Sequence, residues 1–320
     1  METLQIRAAG NPVPMSKLVL GTCYFGSGIP QEESFALMDR YFELGGRTLD
    51  TARMYADWLE NGHSASERTV GAWLRARGLR DEITLVTKGG FPDDGVCRLH
   101  RADIREDMER SIEYLGSAPD VYFLHRDDKS VPVSEIIDIL DELVREGKTR
   151  AIGASNWTLN RILEANAYAE KSGKTPFTVS QIQWSLAVAT PETWGDPTLV
   201  CMTQEEYAGY LKSGIPVMAF SPQAKGFFSK YLAGGEAALN DKIRRRFVSA
   251  GNIARAERLR DYCAAHGITP AAAALAYLIR DRLPAAAILG CSSVAQLEDS
   301  MTAANVQMSH EEAAALAGQA

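Results

Sequence analysis

The chain has 320 residues, of which 46% are hydrophobic and 23% are charged, a balance typical of a folded globular protein with a large core. The formal net charge of −7 gives no basic face for nucleic acid, and the densest positive run, residues 242–246, is short enough to be a solvated helix face or loop. Because the first residues lack the order of a signal peptide and no stretch reaches the roughly 18 apolar residues of a membrane span, we expect a cytoplasmic protein without membrane contact.

Runs of β-forming residues alternate with amphipathic helical runs along most of the chain. In chain order, strands are predicted at 17–22, 48–52, 83–89, 121–125, 150–155, 179–184, 216–221 and 286–291. Helices are predicted between them at 31–44, from Ser64, from about 102 to 115, at 134–146, after Thr158 and from Thr203. Ser64 and Glu67 fit a capping box at the start of the second helix.

This alternation of eight strands with helices predicts right-handed crossovers and closure into a (β/α)8 TIM barrel, as one domain over residues 1–320. An open doubly wound sheet is the alternative. The turn after the first strand does not support it, because Gly26 and Gly28 occur without the third glycine of a G-x-G-x-x-G sequence. The residues before the first strand, which end in NPVPM, predict a hairpin or lid over the other end of the barrel.

Three long segments interrupt the alternation, at residues 54–63, 187–199 and 226–250. Loops of this length in a compact domain are usually functional or mobile. We therefore expect functional or mobile loops at these three places.

Four ionisable residues stand at or just beyond the ends of neighbouring strands: Asp50, Tyr55, Lys88 and His125. In a parallel barrel these ends converge on one face, where catalytic groups collect. A tyrosine is a poor acid at neutral pH unless an ammonium such as that of Lys88 stabilises its phenolate, and Asp50 is the natural counter-charge. With His125 donating a hydrogen bond to a carbonyl oxygen, the set predicts proton delivery to a carbonyl that receives a hydride.

Each of these four residues also has an interpretation without catalysis. Singly, Asp50 fits a strand end or helix cap, Lys88 a solvated loop charge, Tyr55 a loop aromatic and His125 a hydrogen-bonded barrel histidine. Their joint occurrence at the ends of the second, third and fourth strands is not required by core packing, and it favours the catalytic interpretation.

The motifs around these residues resemble the aldo-keto reductases, and the resemblance covers nearly the whole chain. They are LGTCYFG from Leu20, the aspartate with a tyrosine five residues later, TKGG with Lys88, LHRDD with His125, GASNW at 153–157, SQIQWS at 180–185 and ILGCSSVAQLEDS ending at Ser300. The resemblance implies a barrel oxidoreductase that uses a nicotinamide cofactor to reduce an aldehyde, ketone or keto-sugar. It makes Tyr55 the general acid, with Asp50 and Lys88 tuning it and His125 positioning the carbonyl.

The same resemblance implies a cofactor site. Its residues are Ser155, Asn156 and Gln181 for the nicotinamide carboxamide, Phe220 for the nicotinamide ring, Ser221, Gln223, Lys225 and Gly226 for the pyrophosphate, and Gly290, Ser292, Ser293 and Gln296 in the last cofactor segment. A planar amide needs donor and acceptor groups on each side, which these polar side chains offer. Ser155 and Asn156 would also make a helix N-cap, and Phe220 would also fit the barrel core.

The last cofactor segment departs from the family pattern. Ser293 stands where the family commonly has an arginine or lysine for the adenosine 2′-phosphate, and Asp299 and Ser300 replace the usual acid–asparagine pair. The family default makes NADP(H) the expected cofactor rather than NAD(H), but a serine adds no charge. Another basic residue near the eighth strand, Arg280 or Arg282, is the alternative partner of the phosphate.

The substrate mouth combines aromatic faces with charge. Its predicted lining residues are Tyr24, Met54, Trp58, Arg126, Trp157 and Trp194. Such a surface suits a sugar, a polyol or an aromatic aldehyde equally.

Two other functional classes remain open. A barrel of this kind can act as a cofactor-sensing regulatory subunit, as the β subunits of potassium channels do. A metal-dependent isomerase or hydrolase is less favoured, because the five histidines show no ligand spacing and the five cysteines no C-x-x-C pair. We therefore expect no metal and no disulfide framework.

Overall fold

Eight parallel strands form a closed barrel in which each strand pairs with the next and the last pairs with the first. The structure, a computed structural model, describes residues 1–60 and 62–319. Before the barrel, β1 (Thr3–Ile6) and β2 (Val13–Ser16) form an antiparallel hairpin. The barrel strands are β3 (Leu18–Gly21), β4 (Thr48–Asp50), β5 (Thr84–Gly89), β6 (Val121–Leu124), β7 (Ala151–Ser155), β8 (Phe177–Gln183), β9 (Val217–Phe220) and β10 (Ala285–Leu289). The predicted (β/α)8 TIM barrel is confirmed.

Helices surround the barrel and follow its strands. They are α1 (Gln31–Glu43), α2 (Ala65–Arg77), α3 (Arg101–Leu115), α4 (Val133–Arg145), α5 (Leu159–Lys171), α6 (Pro191–Trp194), α7 (Gln204–Ser213), α8 (Phe227–Gly234), α9 (Asp241–Phe247), α10 (Ala250–His266), α11 (Pro270–Ile279), α12 (Val294–Met301) and α13 (His310–Ala317). In the part of the chain that the structure describes, no single helix has the length and hydropathy of a membrane span. Within the same described residues, α10 and α11 taken together, across a bend of 99°, meet that criterion of length and composition.

The barrel interior is filled by side chains that alternate along the strands, because successive residues of a strand point to opposite faces. The inward-facing apolar residues form one buried cluster: Val19, Val86, Val121, Phe123, Ala151, Val179, Met218, Ala286 and Ile288. Gly153 of β7 lies against the Phe123 ring, where an added Cβ would come within 2.4 Å of a ring carbon. A glycine at this position therefore makes room for the large ring.

The N-terminal hairpin closes the amino end of the barrel, as predicted. Thr84 Oγ1 donates to Pro14 O at 2.6 Å, and Ser16 N donates to Thr48 Oγ1 at 2.9 Å. Ile6, Val13 and Met15 join the interior cluster from below. With this end covered, the carboxyl end of the strands is the open face.

The capping box predicted at the start of the second helix is wrong. Ser64 takes a left-handed conformation (φ 50°), and its hydroxyl donates to Arg53 O at 2.5 Å instead of capping α2. Glu67 is fully buried and accepts a hydrogen bond from Thr87 Oγ1 of β5 at 2.5 Å. Both side chains find tertiary partners that the local pattern does not contain.

The expected long loop at 226–250 is also wrong, because most of it is helical. Asn240 and Ser249 cap α9 and α10 by accepting from backbone N–H groups. The apolar residues Phe227, Phe228 and Phe247 are buried against the helical shell. Helices as short as α8 and α9 contain only two turns, so their periodicity is hard to see in the sequence. Residues 242–246 belong to α9.

The buried acid Glu67 gives a pH-dependent stability. Burial raises its pKa from 4.5 to about 7, although the hydrogen bond from Thr87 opposes the shift. Between these two values the folded chain keeps a proton that the unfolded chain has released. Stability therefore falls as pH rises through this window, and the loss is complete above it.

We predict that Glu67→Gln removes this loss, because the amide stays neutral at every pH. The wild-type protein should lose about 2–3 kcal/mol of unfolding free energy between about pH 5 and about pH 8 from this group alone. Urea denaturation at the two pH values measures the difference. The exposed Glu113→Gln is the control, and an equal pH dependence in wild type and Glu67→Gln would contradict the assignment.

Candidate active site

The carboxyl ends of β4 and β5 hold a buried ion pair next to a tyrosine. Lys88 Nζ donates to Asp50 Oδ2 at 2.8 Å, to Thr51 O at 2.7 Å and to Tyr55 Oη at 3.2 Å. The side chains of Lys88 and Asp50 are 0% and 3% exposed. The ammonium thus spends its three hydrogen-bond donors on one carboxylate, one carbonyl and one phenol.

His125 follows β6 and faces the tyrosine. Its backbone N–H donates to Gly89 O at 2.8 Å, and its ring lies edge-on to the Tyr55 ring with 5.8 Å between centroids. Burial lowers the pKa of His125 well below its usual value, and the charges of Arg126 and Lys88 lower it further. The imidazole is therefore neutral at pH 7, and its Nδ1 has no hydrogen-bond partner among the described residues.

The pKa of Tyr55 is raised well above its usual value, first by burial and then by the Asp50 carboxylate, while Arg126 acts against this shift. The net direction is upward because desolvation of the phenol is the largest cause. Tyr55 is consequently a protonated donor at neutral pH. The Lys88 contact is the stabilisation available to a phenolate once the proton has left.

The turn that carries Tyr55 is clamped by charged residues. Arg53 donates to Asp57 at 2.6 Å and to Asp107 of α3 at 3.1 Å. Asp107 also accepts from Arg98 at 2.7 Å and from Gly90 N at 2.8 Å, although its side chain is only 3% exposed. Two residues from Tyr55, this network holds the backbone of the turn against the outer helices.

The polar residues predicted for the nicotinamide carboxamide lie beside the ion pair. Gln181 Nε2 donates to Asp50 Oδ1 at 2.9 Å, and Asn156 Nδ2 donates to Ser155 Oγ at 3.1 Å and His125 O at 3.3 Å. All three are buried at the ends of β7 and β8. The helix-cap alternative for Ser155 and Asn156 is not realised, because Thr158 caps α5 by accepting from Arg161 N.

The turn after β9 is strained. Ser221, Ala224 and Lys225 all have left-handed φ angles of 51°, 50° and 56°, and non-glycine residues of this kind cluster at ligand sites. Gly226 occupies the N-cap position of α8 with a left-handed φ of 79°, and Gln223 Nε2 donates to Ser300 Oγ at 3.0 Å. Phe220 is half-buried: it packs against the interior cluster of the barrel, and its ring is 6.2 Å from the Trp194 ring.

The segment after β10 makes a compact turn. Ser292 donates through its backbone N and its hydroxyl to Gln296 Oε1 at 3.0 and 3.1 Å, and Ser293 caps α12 by accepting from Gln296 N at 3.3 Å. Gly290 precedes this turn in an exposed position. The Ser293 side chain thus has a structural role at the place predicted for a phosphate contact.

Arg280 and Arg282 do not reach this segment, so the proposed alternative is wrong. Arg280 donates to Val306 O and Ala304 O and pairs with Glu2 of the N-terminal segment. Both arginines precede β10, whereas Ser293 follows it. The length of the strand separates the two ends, and a side chain cannot cross the barrel wall.

The predicted substrate residues are divided between the surface and the core. Tyr24 and Trp58 are exposed by 53% and 51%, and their rings meet edge-on with 6.4 Å between centroids. Arg126 donates to Thr198 at 2.9 Å and lies over the Phe91 ring. Met54 and Trp194 are half-buried.

Trp157 does not line the mouth. It is fully buried, packs against Phe177 with 5.2 Å between ring centroids, and donates through Nε1 to Arg126 O at 3.1 Å. Trp157 belongs to the core between the barrel and its helices. Trp157 comes after the end of β7 and just before the N-cap of α5 at Thr158. Its side chain therefore lies outside the barrel interior, among the surrounding helices.

Two groups of neighbours were missed from sequence. Phe91 contacts the His125 ring at 5.2 Å between centroids, and Thr51 supplies a carbonyl to Lys88. Phe91 has a signal in the sequence, because it follows the strand end at Gly89. A backbone carbonyl such as that of Thr51 leaves no signal in the sequence. Among the described residues, no group of three or more histidine, cysteine, aspartate or glutamate side chains could hold a metal ion.

A closed (β/α)8 barrel with a lysine, aspartate, tyrosine and histidine at one open face defines a barrel oxidoreductase of the kind the motifs resemble. The sequence model of the Aldo/keto reductase family matches residues 17–319, and the chain belongs to that family. Members of this family use nicotinamide cofactors.

Curated relatives are similar over most of the chain. It is 28% identical over 321 residues to a norsolorinic acid reductase of Emericella nidulans, covering 94% of this chain and 77% of that protein. It is 29% identical over 310 residues to an uncharacterized oxidoreductase of Bacillus subtilis, covering 93% and 90%. Over 204 residues it is 26% identical to an aryl-alcohol dehydrogenase (NADP(+)) of Phanerodontia chrysosporium, covering 57% and 50%.

We predict that Asp107→Ala lowers the unfolding free energy by about 3–5 kcal/mol, because it leaves Arg53 and Arg98 partly buried without their shared carboxylate. Glu106→Ala is the matched control: it neighbours Asp107 and contacts the same Arg98, but its side chain is 45% exposed. An exposed pair is worth at most about 1 kcal/mol. Urea denaturation of both variants measures the two losses of unfolding free energy. Equal losses would show that Asp107 does not hold the turn in place.

Proposed function

We propose that the protein is an NADPH-dependent carbonyl reductase that converts an aldehyde, ketone or keto-sugar to the alcohol, reversibly, with Tyr55 as the proton donor. The observation that carries this proposal is the 3.2 Å contact of the buried Lys88 Nζ with Tyr55 Oη. A phenol with a raised pKa keeps its proton until an acceptor binds, and the adjacent ammonium then stabilises the phenolate.

The four residues divide the work around one substrate oxygen. The carbonyl oxygen accepts one hydrogen bond from Tyr55 Oη and one from the neutral His125 ring. The two rings lie edge-on to each other, so both donors reach the same oxygen. As the carbonyl carbon is reduced, the Tyr55 proton moves to the oxygen. Lys88 and Asp50 keep the resulting phenolate from being an isolated buried charge.

The residues at the ends of β7, β8 and β9 fit a nicotinamide cofactor, which supplies the hydride when bound. Ser155, Asn156 and Gln181 offer buried amide and hydroxyl groups beside Asp50, and the half-buried Phe220 offers a ring face. The strained turn from Ser221 would hold the phosphates.

An aromatic carbonyl compound is the substrate class that we propose to test first. The exposed rings of Tyr24 and Trp58 at the mouth provide edges and faces for a flat ring. Two of the relatives bear names that refer to the reduction of norsolorinic acid and to aryl alcohols.

We predict that Tyr55→Phe lowers kcat for benzaldehyde by about 10²–10⁴-fold, since general acid catalysis is lost. The dissociation constant of NADPH should stay within a few-fold of wild type, because the proton acts only in the reaction. Steady-state kinetics and fluorescence titration measure the two quantities. Tyr114→Phe, on α3 and outside the proposed site, is the control, and near-normal turnover of Tyr55→Phe would end the assignment. Wild-type binding of NADPH without any reductase activity would instead indicate a cofactor-sensing subunit.

We predict that Ser293→Arg tightens NADPH by about ten- to a hundred-fold and leaves NADH nearly unchanged, since a charge-assisted contact is worth about 1.5–3 kcal/mol. The substitution also removes the cap of α12, at a cost of about 1 kcal/mol in stability. Ser293→Ala separates this loss from the added charge. An equal effect on both cofactors would mean that position 293 does not face the 2′-phosphate.

A further inference from the structure

Three consecutive arginines lie on α9 and have different surroundings. Arg244 pairs with Asp241 at 2.9 Å and donates to Leu239 O at 3.0 Å. Arg245 is exposed. Arg246 places its guanidinium carbon 4.1 Å from the centre of the Trp194 ring. The third arginine is thus the one that points back toward the barrel.

Trp194 connects Arg246 to the open face. Its ring lies edge-on to Phe220, the last residue of β9, at 6.2 Å, and to Phe247 at 6.0 Å. The helix α9, which carries Arg246, also packs against the turn at Ala224–Gly226, which contains Lys225. Arg246 therefore lies beside the strained turn at the carboxyl end of β9 that contains Lys225.

These two cations have no counter-ion in the part of the chain that the structure describes, in contrast to Arg244 beside them. The Nε of Arg246 is buried and has no hydrogen-bond acceptor among the described residues. Stacking on an aromatic ring offsets only part of the desolvation of a guanidinium.

The pKa values agree with this geometry. Desolvation by the surrounding protein lowers the pKa of Lys225, and the charge of Arg246 lowers it further. Part of the Lys225 side chain is nevertheless exposed to solvent. Desolvation likewise lowers the pKa of Arg246, together with the charge of Arg245. Two like charges that disfavour each other are stabilised by an anion between them.

We propose that Arg246, held by Trp194, completes with Lys225 a binding site for a phosphate or carboxylate group at the rim of the barrel. The identity of the anion rests on the proposed function. The anion is either a phosphate of the cofactor or a carboxylate on the substrate. Arg246 lies in none of the motifs that resemble the family. Its guanidinium would bind the anion through paired N–H donors.

Arg246→Gln tests the site, and Arg245→Gln is the matched control. Both substitutions remove one positive charge from α9, at neighbouring positions, so a difference between them cannot come from net charge. Circular dichroism confirms that both variants fold. In the first arm, NADPH and NADH are titrated by fluorescence against both variants.

For a cofactor phosphate we expect Arg246→Gln to weaken binding by about ten- to a hundred-fold and Arg245→Gln to change it less than about two-fold. Weakening of both cofactors identifies the diphosphate, and weakening of NADPH alone identifies the 2′-phosphate. If cofactor affinity is unchanged, the second arm compares benzaldehyde with 4-carboxybenzaldehyde at saturating cofactor. A KM that rises about ten-fold for the carboxylated aldehyde alone identifies a substrate carboxylate.

A third arm needs no turnover and separates this proposal from the proposed function. Sodium pyrophosphate is titrated against the protein while tryptophan fluorescence, to which Trp194 contributes, is recorded. Saturable binding that Arg246→Gln weakens and Arg245→Gln does not supports the anion site even in a protein without reductase activity. Equal behaviour of the two variants in all three arms overturns it, and Arg246 then serves only to pack Trp194.

Discussion

The burial of one lysine ammonium is the constraint on which the open face of the barrel depends. Lys88 is 0% exposed, and its three donors are taken by Asp50, Thr51 O and Tyr55 Oη. Because an unpaired buried charge is costly, β4 and β5 must keep the register that brings the carboxylate to the ammonium. The place of the tyrosine follows from the same requirement, since the phenol is the third acceptor that the ammonium needs.

Backbone strain in this protein is concentrated at the face where the ion pair lies. Within the described residues, the non-glycine residues with positive φ all occur in loops that follow the carboxyl ends of strands: Ala56, Ser64, Asp94, Asn156, Ser221, Ala224 and Lys225. Such conformations cost about 1–3 kcal/mol each and persist only where the surroundings hold them. The hairpin-covered amino end, the filled interior and the Arg53–Asp107 clamp provide that support.

Sequence reasoning succeeded for features whose cause is local. Each barrel strand was predicted within about two residues of its observed bounds, because short apolar runs with abrupt polar ends are visible in the chain. It failed where distant partners compete with local ones. Ser64 and Glu67 bond to Arg53 and Thr87 instead of to each other's backbone, and the short helices at 226–250 depend on buried phenylalanines for their stability.

The sequence by itself determined the barrel, the hairpin beneath it and the set of four ionisable residues, since alternation, strand-end position and motif are properties of the linear chain. Only the tertiary structure decided the net pKa direction of Tyr55, the burial of Trp157 and the separation of Arg280 from Ser293. It also decided that Arg246, alone in its run, stacks on Trp194. These features depend on desolvation, on the direction in which a side chain packs and on which end of the barrel a residue occupies. All three are set by atoms far apart in the chain, so a local sequence pattern does not predict them.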